Sequence, residues 1–456
     1  MEFLDRVEEK KRLDGFLREK SGGLACLYGR RRCGKTRLLR ESLHGLAHAV
    51  YFLADRSVPQ LQRARMCEEM SRTIPVFAQL EVPTDWGRLF DLWVSLSPAG
   101  SILVLDEFPY LVSAAPELPS IIQRIVDDIE PGGRKIVICG SSQRMMQGFV
   151  MSASEPLYGR AREIMRLSPL PFDWMGRAFP GRTFDELLAT WTVFGGVPRY
   201  WELAASDADI MTSIRRLIMD PLGVLHDEPQ FLLFDEVGDF ARASSVLSLI
   251  GLGANRMSEI AARMGRKATE LSHPLKRLTE LGLIEREVPF GADETNGKKS
   301  IYRIADNFTA FWYTFIAPNL SRIDYLDTES GRAGFAVGFS VLQGQVWERL
   351  VRQKVASGTM PEVADVVWRS VARWWGTGLD RHPIEIDLVA ESEDGETLLV
   401  GECKLLADAG DKKRLLAELS RKVEQLPFRS KYHNVRLHVF AAMAGRDRGK
   451  VERRKS

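Results

Sequence analysis

The segment from Gly29 to Thr36 constrains this chain more than any other feature, because it matches the phosphate-binding pattern G-x-x-x-x-G-K-[ST]. A loop that surrounds a phosphate must turn backbone N–H groups inward, and glycine lets the chain approach the phosphate closely. The apolar run Leu24 to Tyr28 precedes the loop, and a helical stretch from Arg37 follows it. This strand-loop-helix order is typical of nucleotide-binding proteins, so we predict a nucleotide-binding core.

The residue types within this loop predict specific roles. Lys35 is expected to reach the β- and γ-phosphates as a catalytic residue, and Thr36 is expected to hold Mg²⁺. The N-terminal end of the following helix adds a partial positive charge near the same phosphates. The residues expected to surround the phosphates are consecutive in the chain: Gly29, Arg30, Arg31, Arg32, Cys33, Gly34, Lys35, Thr36 and Arg37.

A second apolar run ends in two carboxylates that suit magnesium-dependent phosphoryl transfer. Ile102 to Leu105 leads into Asp106 and Glu107. Asp106 is expected to orient the ligands of the Mg²⁺, and Glu107 is expected to polarise the attacking water. A third run, Lys135 to Cys139, ends close to Ser141, whose side chain is expected to sense the γ-phosphate. The alternative for Ser141 is a helix cap, because serines after strands often have that role.

The composition indicates an ordinary globular chain. At 456 residues, with 27% charged and 45% hydrophobic residues, it is long enough for about three domains. No stretch approaches the roughly 18 apolar residues of a membrane span, and the N-terminal segment lacks the apolar region of a secretory signal. We therefore expect a cytoplasmic protein with no membrane partner. The five scattered cysteines favour reduced thiols, and a net charge of +2 means that any nucleic-acid contact must be local.

The order of apolar and helical stretches predicts the domain organisation. Strands alternate with helices over residues 1–155, which predicts an α/β fold with a doubly wound parallel sheet. A helical lid is predicted over 156–238, a winged helix over 239–305 and a connector over 306–339. The winged helix rests on three helical stretches followed by two short strands. Basic residues on its third helix allow DNA contact, and the alternative is a winged helix that only packs on the nucleotide-binding core.

The last predicted segment, 340–456, is an α/β domain with a basic tail, and it carries a second group of charged residues. Asp387 lies in one strand-like run, and another run, Thr397 to Gly401, leads directly into Glu402 and Lys404. Since residues two apart face the same side of a strand, Glu402 and Lys404 are expected to project together. Carboxylates placed in this way can bind a divalent metal ion.

The nucleotide-binding segments resemble those of the archaeal-type ATPase family of the AAA+/STAND group. The resemblance rests on the phosphate loop and on the segments ILVLDEF, ICGSS and GGVP. It implies that the ligand is ATP and that a helical lid and a winged helix follow the core. It also implies that Arg6 lies near the nucleotide base and that Pro198 contacts the adenine from the lid. Arg160 or Arg162 would act on the γ-phosphate.

The D…E-x-K pattern resembles that of the PD-(D/E)xK, or restriction-endonuclease-like, superfamily. The resemblance implies a nuclease-like domain in which Asp387, Glu402 and the helical residue Glu348 hold a metal ion. Asp387, Glu402 and Lys404 would then be the catalytic residues. Lys404 would assist a water at the scissile phosphate. Domains of this superfamily can also keep their fold without turnover.

These motifs lead to two hypotheses. The first is an ATP-binding and ATP-hydrolysing AAA+/STAND-type switch coupled to a nuclease-like domain that acts on DNA. The alternative is a nucleotide-gated regulatory or scaffold protein whose nuclease-like domain is catalytically silent. The expected partners are ATP, DNA and a second copy of the chain. Mg²⁺ is the expected cofactor of the ATPase, with Mg²⁺ or Mn²⁺ at the C-terminal site.

Overall fold

The computed structural model describes residues 3–129, 132–237, 239–293, 297–406 and 410–443. It separates into two compact units. The first comprises Met1–Trp174 and Val197–Glu202, and the second comprises Met175–Gly196 and Leu203–Ser456. The basic tail predicted at the end of the chain lies outside the described residues.

A five-stranded parallel sheet forms the core of the first unit. Its strands are β1 (Gly23–Tyr28), β2 (Ala49–Leu53), β3 (Ile102–Asp106), β4 (Lys135–Gly140) and β5 (Ala161–Arg166). They lie in the order β2-β3-β4-β1-β5, and each adjacent pair is parallel. Because the strands share one direction, their carboxyl ends meet along one edge, where open α/β sheets bind their ligands.

The sheet buries a hydrophobic layer on each face. Along β1, Leu24 and Cys26 belong to one layer while Ala25 and Leu27 belong to the other, as the alternation of side chains on a strand requires. Every residue of β1, β3 and β4 is buried, which explains their continuous apolar sequences. The helices of this unit are α1 (Val7–Arg18), α2 (Lys35–Leu43), α3 (Pro59–Ser71), α4 (Trp86–Leu96), α5 (Phe108–Ala114), α6 (Leu118–Ile129) and α7 (Gln143–Met151).

The structure corrects the predicted end of the nucleotide-binding core. The prediction ended the core at residue 155, but β5 pairs with β1 and the first unit continues to Trp174. Strand β5 lies at the edge of the sheet, and most of its residues are partly or fully exposed. Arg162, Glu163 and Arg166 make half of β5 charged, so it lacks the apolar run by which the central strands were found.

A series of helices continues the chain. They are α8 (Met175–Ala178), α9 (Phe184–Phe194), α10 (Pro198–Ala204), α11 (Ile210–Ile214), α12 (Glu228–Glu236), α13 (Phe240–Gly251), α14 (Met257–Arg263), α15 (Ser272–Glu280) and α16 (Asn307–Phe311). Helix α9 begins with a capping box, in which the Glu186 side chain accepts from the Thr183 N–H at 2.7 Å. None of the helices described combines the length and the apolar character needed to cross a lipid bilayer.

A two-stranded antiparallel hairpin follows α15. It consists of β6 (Ile284–Glu287) and β7 (Ile301–Ile304). The order of three helices and one hairpin is the order of elements predicted for residues 239–305. Leu275 and Leu278 on α15 are buried, which agrees with the apolar spacing that predicted this helix.

A second sheet forms the C-terminal part of the second unit. Its strands are β8 (Trp368–Thr377), β9 (Pro383–Ser392), β10 (Thr397–Leu406) and β11 (Asn434–Met443). Strand β9 pairs antiparallel with both β8 and β10, while β10 and β11 are parallel. Helix α18 (Gly410–Glu424) connects the parallel pair, as parallel strands require a crossover.

A long helix, α17 (Glu329–Ala356), precedes this sheet and corrects the predicted connector. The connector was predicted to extend to residue 339, but the helix begins well before that position. Glycines lower the intrinsic helix propensity of its first half. Aromatic packing compensates, because Phe335 and Phe339 stack on each other and both contact Phe311.

Gly401→Ala should lower the free energy of unfolding by about 1–3 kcal/mol, because overpacking a buried site forces its neighbours to move. A Cβ at Gly401 would lie 2.6 Å from Cε2 of Phe440. Gly344→Ala is the matched control, since a Cβ there meets nothing within 4 Å and alanine favours the helix. Chemical denaturation measures both variants. Equal loss of stability in the two would contradict the close packing of β10 against β11.

Candidate functional site

The phosphate loop connects β1 to α2 at the carboxyl edge of the parallel sheet. Gly29 has φ 155°, and a Cβ at this position would lie 2.3 Å from the carbonyl oxygen of Leu167. The chain after β5 therefore requires glycine here. Gly34 has φ 91° and precedes the first residue of α2, so both pattern glycines adopt conformations that other residues rarely take.

Lys35 lies inside this loop rather than in solvent. Its side chain is buried, and its Nζ donates to the carbonyl oxygens of Gly29 at 2.7 Å and Arg30 at 3.0 Å. The ammonium group is thus positioned at the N-terminal end of α2, where the helix dipole also favours negative charge. Phosphate oxygens can replace these two carbonyls as its partners.

Four side chains from three segments meet next to the phosphate loop. Thr36 Oγ1 donates to Asp106 Oδ2 at 2.8 Å, and Asp106 is almost fully buried. The other carboxylate oxygen of Asp106 accepts from the Glu107 N–H at 2.9 Å. Ser141 Oγ lies 2.9 Å from both carboxylate oxygens of Glu107. The ends of β3 and β4 therefore bring together the residues predicted to hold the metal, polarise the water and sense the γ-phosphate.

The predicted arginines around the loop are held by specific partners. Arg6 donates to the carbonyl oxygens of Cys33 at 3.1 Å and Ser168 at 2.6 Å, so it joins the loop to the segment after β5. The remaining contacts involve loop arginines and side chains of the same unit: Arg30 with the Tyr200 hydroxyl at 3.2 Å, Arg31 with the Tyr110 hydroxyl at 2.7 Å and Arg37 with Glu202 at 3.6 Å.

Pro198 and the middle of the loop complete the predicted nucleotide-binding set. Pro198 is half-buried and begins α10, the helix whose Tyr200 reaches Arg30. Arg32 is exposed with φ 67°, and Cys33 is buried. The structure thus places Pro198 within one helical turn of a residue that contacts the loop.

Arg160 is not brought to the phosphate loop of its own chain, which corrects the prediction of its role. It precedes β5, and the register of β5 with β1 places it at the amino edge of the sheet, opposite the loop. Its guanidinium pairs with Asp127 at 3.1 Å. Arg162 lies at the same edge and donates to the carbonyl oxygen of Gly22 at 2.9 Å. The sequence pattern could not show at which end of β5 these residues lie.

The predicted residues of the C-terminal site converge on one ammonium group. Lys404 Nζ lies 3.3 Å from Asp387 Oδ2 and 3.0 Å from Glu402 Oε1. Asp387 Oδ2 also accepts from the backbone N–H of Cys403 at 2.9 Å. Asp387 comes from β9, and the other two residues come from β10, as the strand alternation predicted. Burial would lower the pKa of Lys404, but the Asp387 and Glu402 charges raise it above its usual range.

Glu348 approaches this group from α17. Burial, followed by the negative charge of Asp387, raises the pKa of Glu348 from 4.5 to about 7. Among the residues that the structure describes, its Oε2 finds no hydrogen-bond partner, and it lies 3.9 Å from Nη1 of Arg352. Within the described residues, no three His, Cys, Asp or Glu side chains are grouped closely enough to hold a metal ion. The structure thus brings Glu348 near Asp387 without forming a three-ligand set.

Three polar residues at these sites were not found from the sequence. Tyr51 on β2 donates its hydroxyl to Asp106 Oδ2. At the C-terminal site, Lys422 Nζ lies 3.3 Å from Glu402 Oε2, and Arg352 donates to the carbonyl oxygen of Asp387 at 3.0 Å. Tyr51 belongs to an ordinary apolar strand, and the other two lie on charged helices, so no local pattern distinguishes them. The exception is Arg352, which follows Glu348 at the i,i+4 spacing that lets two side chains pair on one face of a helix.

Comparison with known proteins agrees with this geometry. Residues 3–203 match a family described as an ATPase domain predominantly from Archaea, and residues 312–415 match a family of archaeal and bacterial proteins of unknown function. The chain is 30% identical over 425 residues to an uncharacterized protein of Methanocaldococcus jannaschii, covering 92% of this chain and 91% of that one. The chain belongs to this archaeal-type ATPase family.

The ATPase carries a P-loop domain, which uses a nucleotide and usually Mg²⁺. A Walker-type ATPase of Pyrococcus abyssi has a similar fold, with a TM-score of 0.51 and 21% identity over 68% of this chain and 96% of that chain. The ORC2 protein of Aeropyrum pernix, solved as ADPNP and ADP complexes, aligns with a TM-score of 0.48 and 15% identity over 70% and 94% of the two chains.

The raised pKa of Glu348 predicts a pH-dependent stability of the ATPase. A raised folded-state pKa gives stability that is complete below the ordinary pKa of 4.5 and is lost as the pH rises through about 7. Between these limits, the free energy of unfolding of the wild type relative to Glu348→Gln should fall by about 2–3 kcal/mol. Chemical denaturation over this pH range, with a chelator present, measures the difference.

The control for this measurement is Glu329→Gln, which removes an exposed carboxylate from the same helix. A constant difference between the wild type and Glu348→Gln across the pH range would contradict the prediction.

Proposed function

We propose that this protein is an ATP-hydrolysing switch coupled to a metal-dependent, nuclease-like site that acts on DNA. The observation that carries the first half is the continuous hydrogen-bonded connection from Thr36 through Asp106 to Glu107, beside the buried ammonium of Lys35. Phosphoryl transfer depends mainly on positioning and on neutralising charge, and these four residues supply both.

Each residue of the first site has a defined part in hydrolysis. Lys35 binds the β- and γ-phosphates after leaving its loop carbonyls. The Thr36 hydroxyl and the Asp106 carboxylate fit a magnesium ion, because Mg²⁺ prefers oxygen ligands and keeps several of its waters. The metal would neutralise the charge that develops on the phosphates. Glu107 orients the attacking water, and Ser141 fixes the direction of the Glu107 carboxylate.

Lys35→Ala should weaken ATP binding by about 100-fold or more, because it removes a charged hydrogen-bond donor from a preorganised phosphate site. Lys20→Ala, which removes an exposed lysine of the same unit, is the matched control and should bind as the wild type does. Calorimetric titration with ATP and Mg²⁺ measures both affinities. Unchanged binding in Lys35→Ala would exclude the proposed ATP site.

The charge arrangement at the C-terminal site supports the second half of the proposal. Asp387 and Glu402 face one cation, the Lys404 ammonium, so the same two carboxylates can hold Mg²⁺ or Mn²⁺. The bound metal would act as a Lewis acid on a phosphate. Lys404, displaced from between the carboxylates, remains next to that phosphate and can orient the attacking water. Lys422 adds a second positive charge to the same site.

The hairpin and the helices before it support DNA as the substrate. Their order fits a winged helix, a fold that places a helix against DNA. A cavity of about 1020 Å³ lies among them, and Arg256, Lys276 and Arg286 contribute to its lining. Glu280 lies 4.0 Å from Lys276 and neutralises part of this charge. The basic side chains supply the contacts to phosphate that DNA-binding proteins use for position rather than sequence.

Glu402→Gln should reduce metal-dependent DNA cleavage by about 100-fold or more, since loss of one charged ligand weakens metal binding and raises the barrier. Glu393→Gln, an exposed glutamate of the same domain, is the matched control. Asp387→Asn provides a second test at the same site. Linear, supercoiled and single-stranded DNA are incubated with Mn²⁺, with and without ATP, and cleavage is measured by gel electrophoresis.

The alternative function is a nucleotide-gated regulatory or scaffold protein with a catalytically silent C-terminal site. It is favoured by the two ammonium groups, of Lys404 and Lys422, that already neutralise Glu402 at 3.0 and 3.3 Å. No cleavage by the wild type under any of these nucleotide and metal conditions would support this alternative and exclude the nuclease.

A further inference from the structure

Asp106 is held by a residue that the P-loop pattern does not contain. Tyr51 lies on β2, the edge strand that pairs with β3, and its hydroxyl donates to Asp106 Oδ2. The same oxygen accepts from Thr36, while Oδ1 accepts from the Glu107 N–H. The carboxylate is therefore contacted from the loop, from its own strand and from the neighbouring strand.

The contact from β2 has a different consequence from the other two. Thr36 can ligate a metal through its oxygen while its hydrogen stays on Asp106, so this hydrogen bond depends on the position of the metal-binding loop. The Glu107 N–H belongs to the residue after Asp106 and fixes only Oδ1. Tyr51 comes from a separate strand of the sheet, so its hydrogen bond to Oδ2 is anchored in the backbone of β2 rather than in the loop.

The ring of Tyr51 is itself held in place. It is half-buried on β2, and the Arg40 guanidinium from α2 lies 5.5 Å from the centre of the ring. A donor held by a sheet strand and a neighbouring cation keeps one orientation, so it lowers the freedom of the carboxylate that it contacts. Groups of this kind around metal ligands commonly change metal affinity by about 10–100-fold when removed.

We propose that Tyr51 is a positioning residue for the magnesium site of this ATPase, acting through Oδ2 of Asp106. It does not bind the nucleotide and does not contact the transferred phosphate. Its hydroxyl fixes the Asp106 carboxylate so that Asp106 and Thr36 present their oxygens to Mg²⁺ together. The inference rests on the proposed Mg²⁺–ATP site and identifies a residue on which its metal affinity depends.

Tyr51→Phe tests this role, since it removes the hydroxyl and keeps the ring. ATP affinity is measured by calorimetry in excess chelator, and Mg²⁺ is then titrated into the protein with saturating fluorescent ATP analogue. The Mg²⁺ concentration at half-saturation should rise about tenfold in Tyr51→Phe, while the affinity for metal-free ATP stays that of the wild type. Tyr158→Phe, which removes an exposed hydroxyl in the same unit, is the control and should change neither value.

Two results would overturn the inference. One is a Mg²⁺ half-saturation in Tyr51→Phe equal to that of the wild type. The other is a loss of affinity for metal-free ATP as large as the change in Mg²⁺ half-saturation, which would indicate a general structural role for the hydroxyl. An Asp106→Ala background gives an independent check, because Tyr51→Phe should have no further effect on Mg²⁺ there. Absence of ATP binding by the wild type would instead exclude the proposed function, and calorimetry on the wild type alone detects that result.

Discussion

The hydrogen bond between Thr36 and Asp106 is the interaction on which the nucleotide site depends. It joins the first turn of α2 to the end of β3, two segments that are distant in sequence and brought together only by the order of strands in the sheet. Asp106 is almost fully buried, and a buried carboxylate is costly unless its oxygens are hydrogen-bonded. The donors around it therefore stabilise the fold and also fix the orientation of the Asp106 carboxylate.

The structure brings together the residues that the sequence predicted at this place, because these residues follow patterns of short range. The phosphate loop, the apolar run before Asp106 and the strand before Ser141 each carry their information within a few residues. Tyr51 could not be found in this way, because its role comes from the pairing of β2 with β3. Arg160 was misplaced for a related reason: its distance from the loop depends on where β5 begins, and β5 is an edge strand with a weak apolar pattern.

The C-terminal site shows the same division between local and tertiary information. The alternation of side chains on β10 predicted that Glu402 and Lys404 project together, and Nζ of Lys404 indeed lies 3.0 Å from Glu402. Lys422 was missed, because a lysine on a helix with many charges has no distinguishing pattern. Asp387 and Glu402 are thus paired with two ammonium groups, and a metal ion at the proposed site would have to compete with these lysines for the same oxygens.

Ion pairs within the second unit connect the C-terminal site to the hairpin. Glu287 on β6 pairs with Arg352 at 3.3 Å and with Arg373 at 3.4 Å. Arg352 also donates to the Asp387 carbonyl oxygen and lies next to Glu348. Burial raises the pKa of Glu348, and the positive charge of Arg352 opposes part of this rise. Buried ion pairs have strict geometry, because desolvation is repaid only at short range. A displacement of β6 would therefore change the position of the Arg352 charge relative to Asp387 and Glu348, and with it the electrostatics of the carboxylates that we propose as metal ligands.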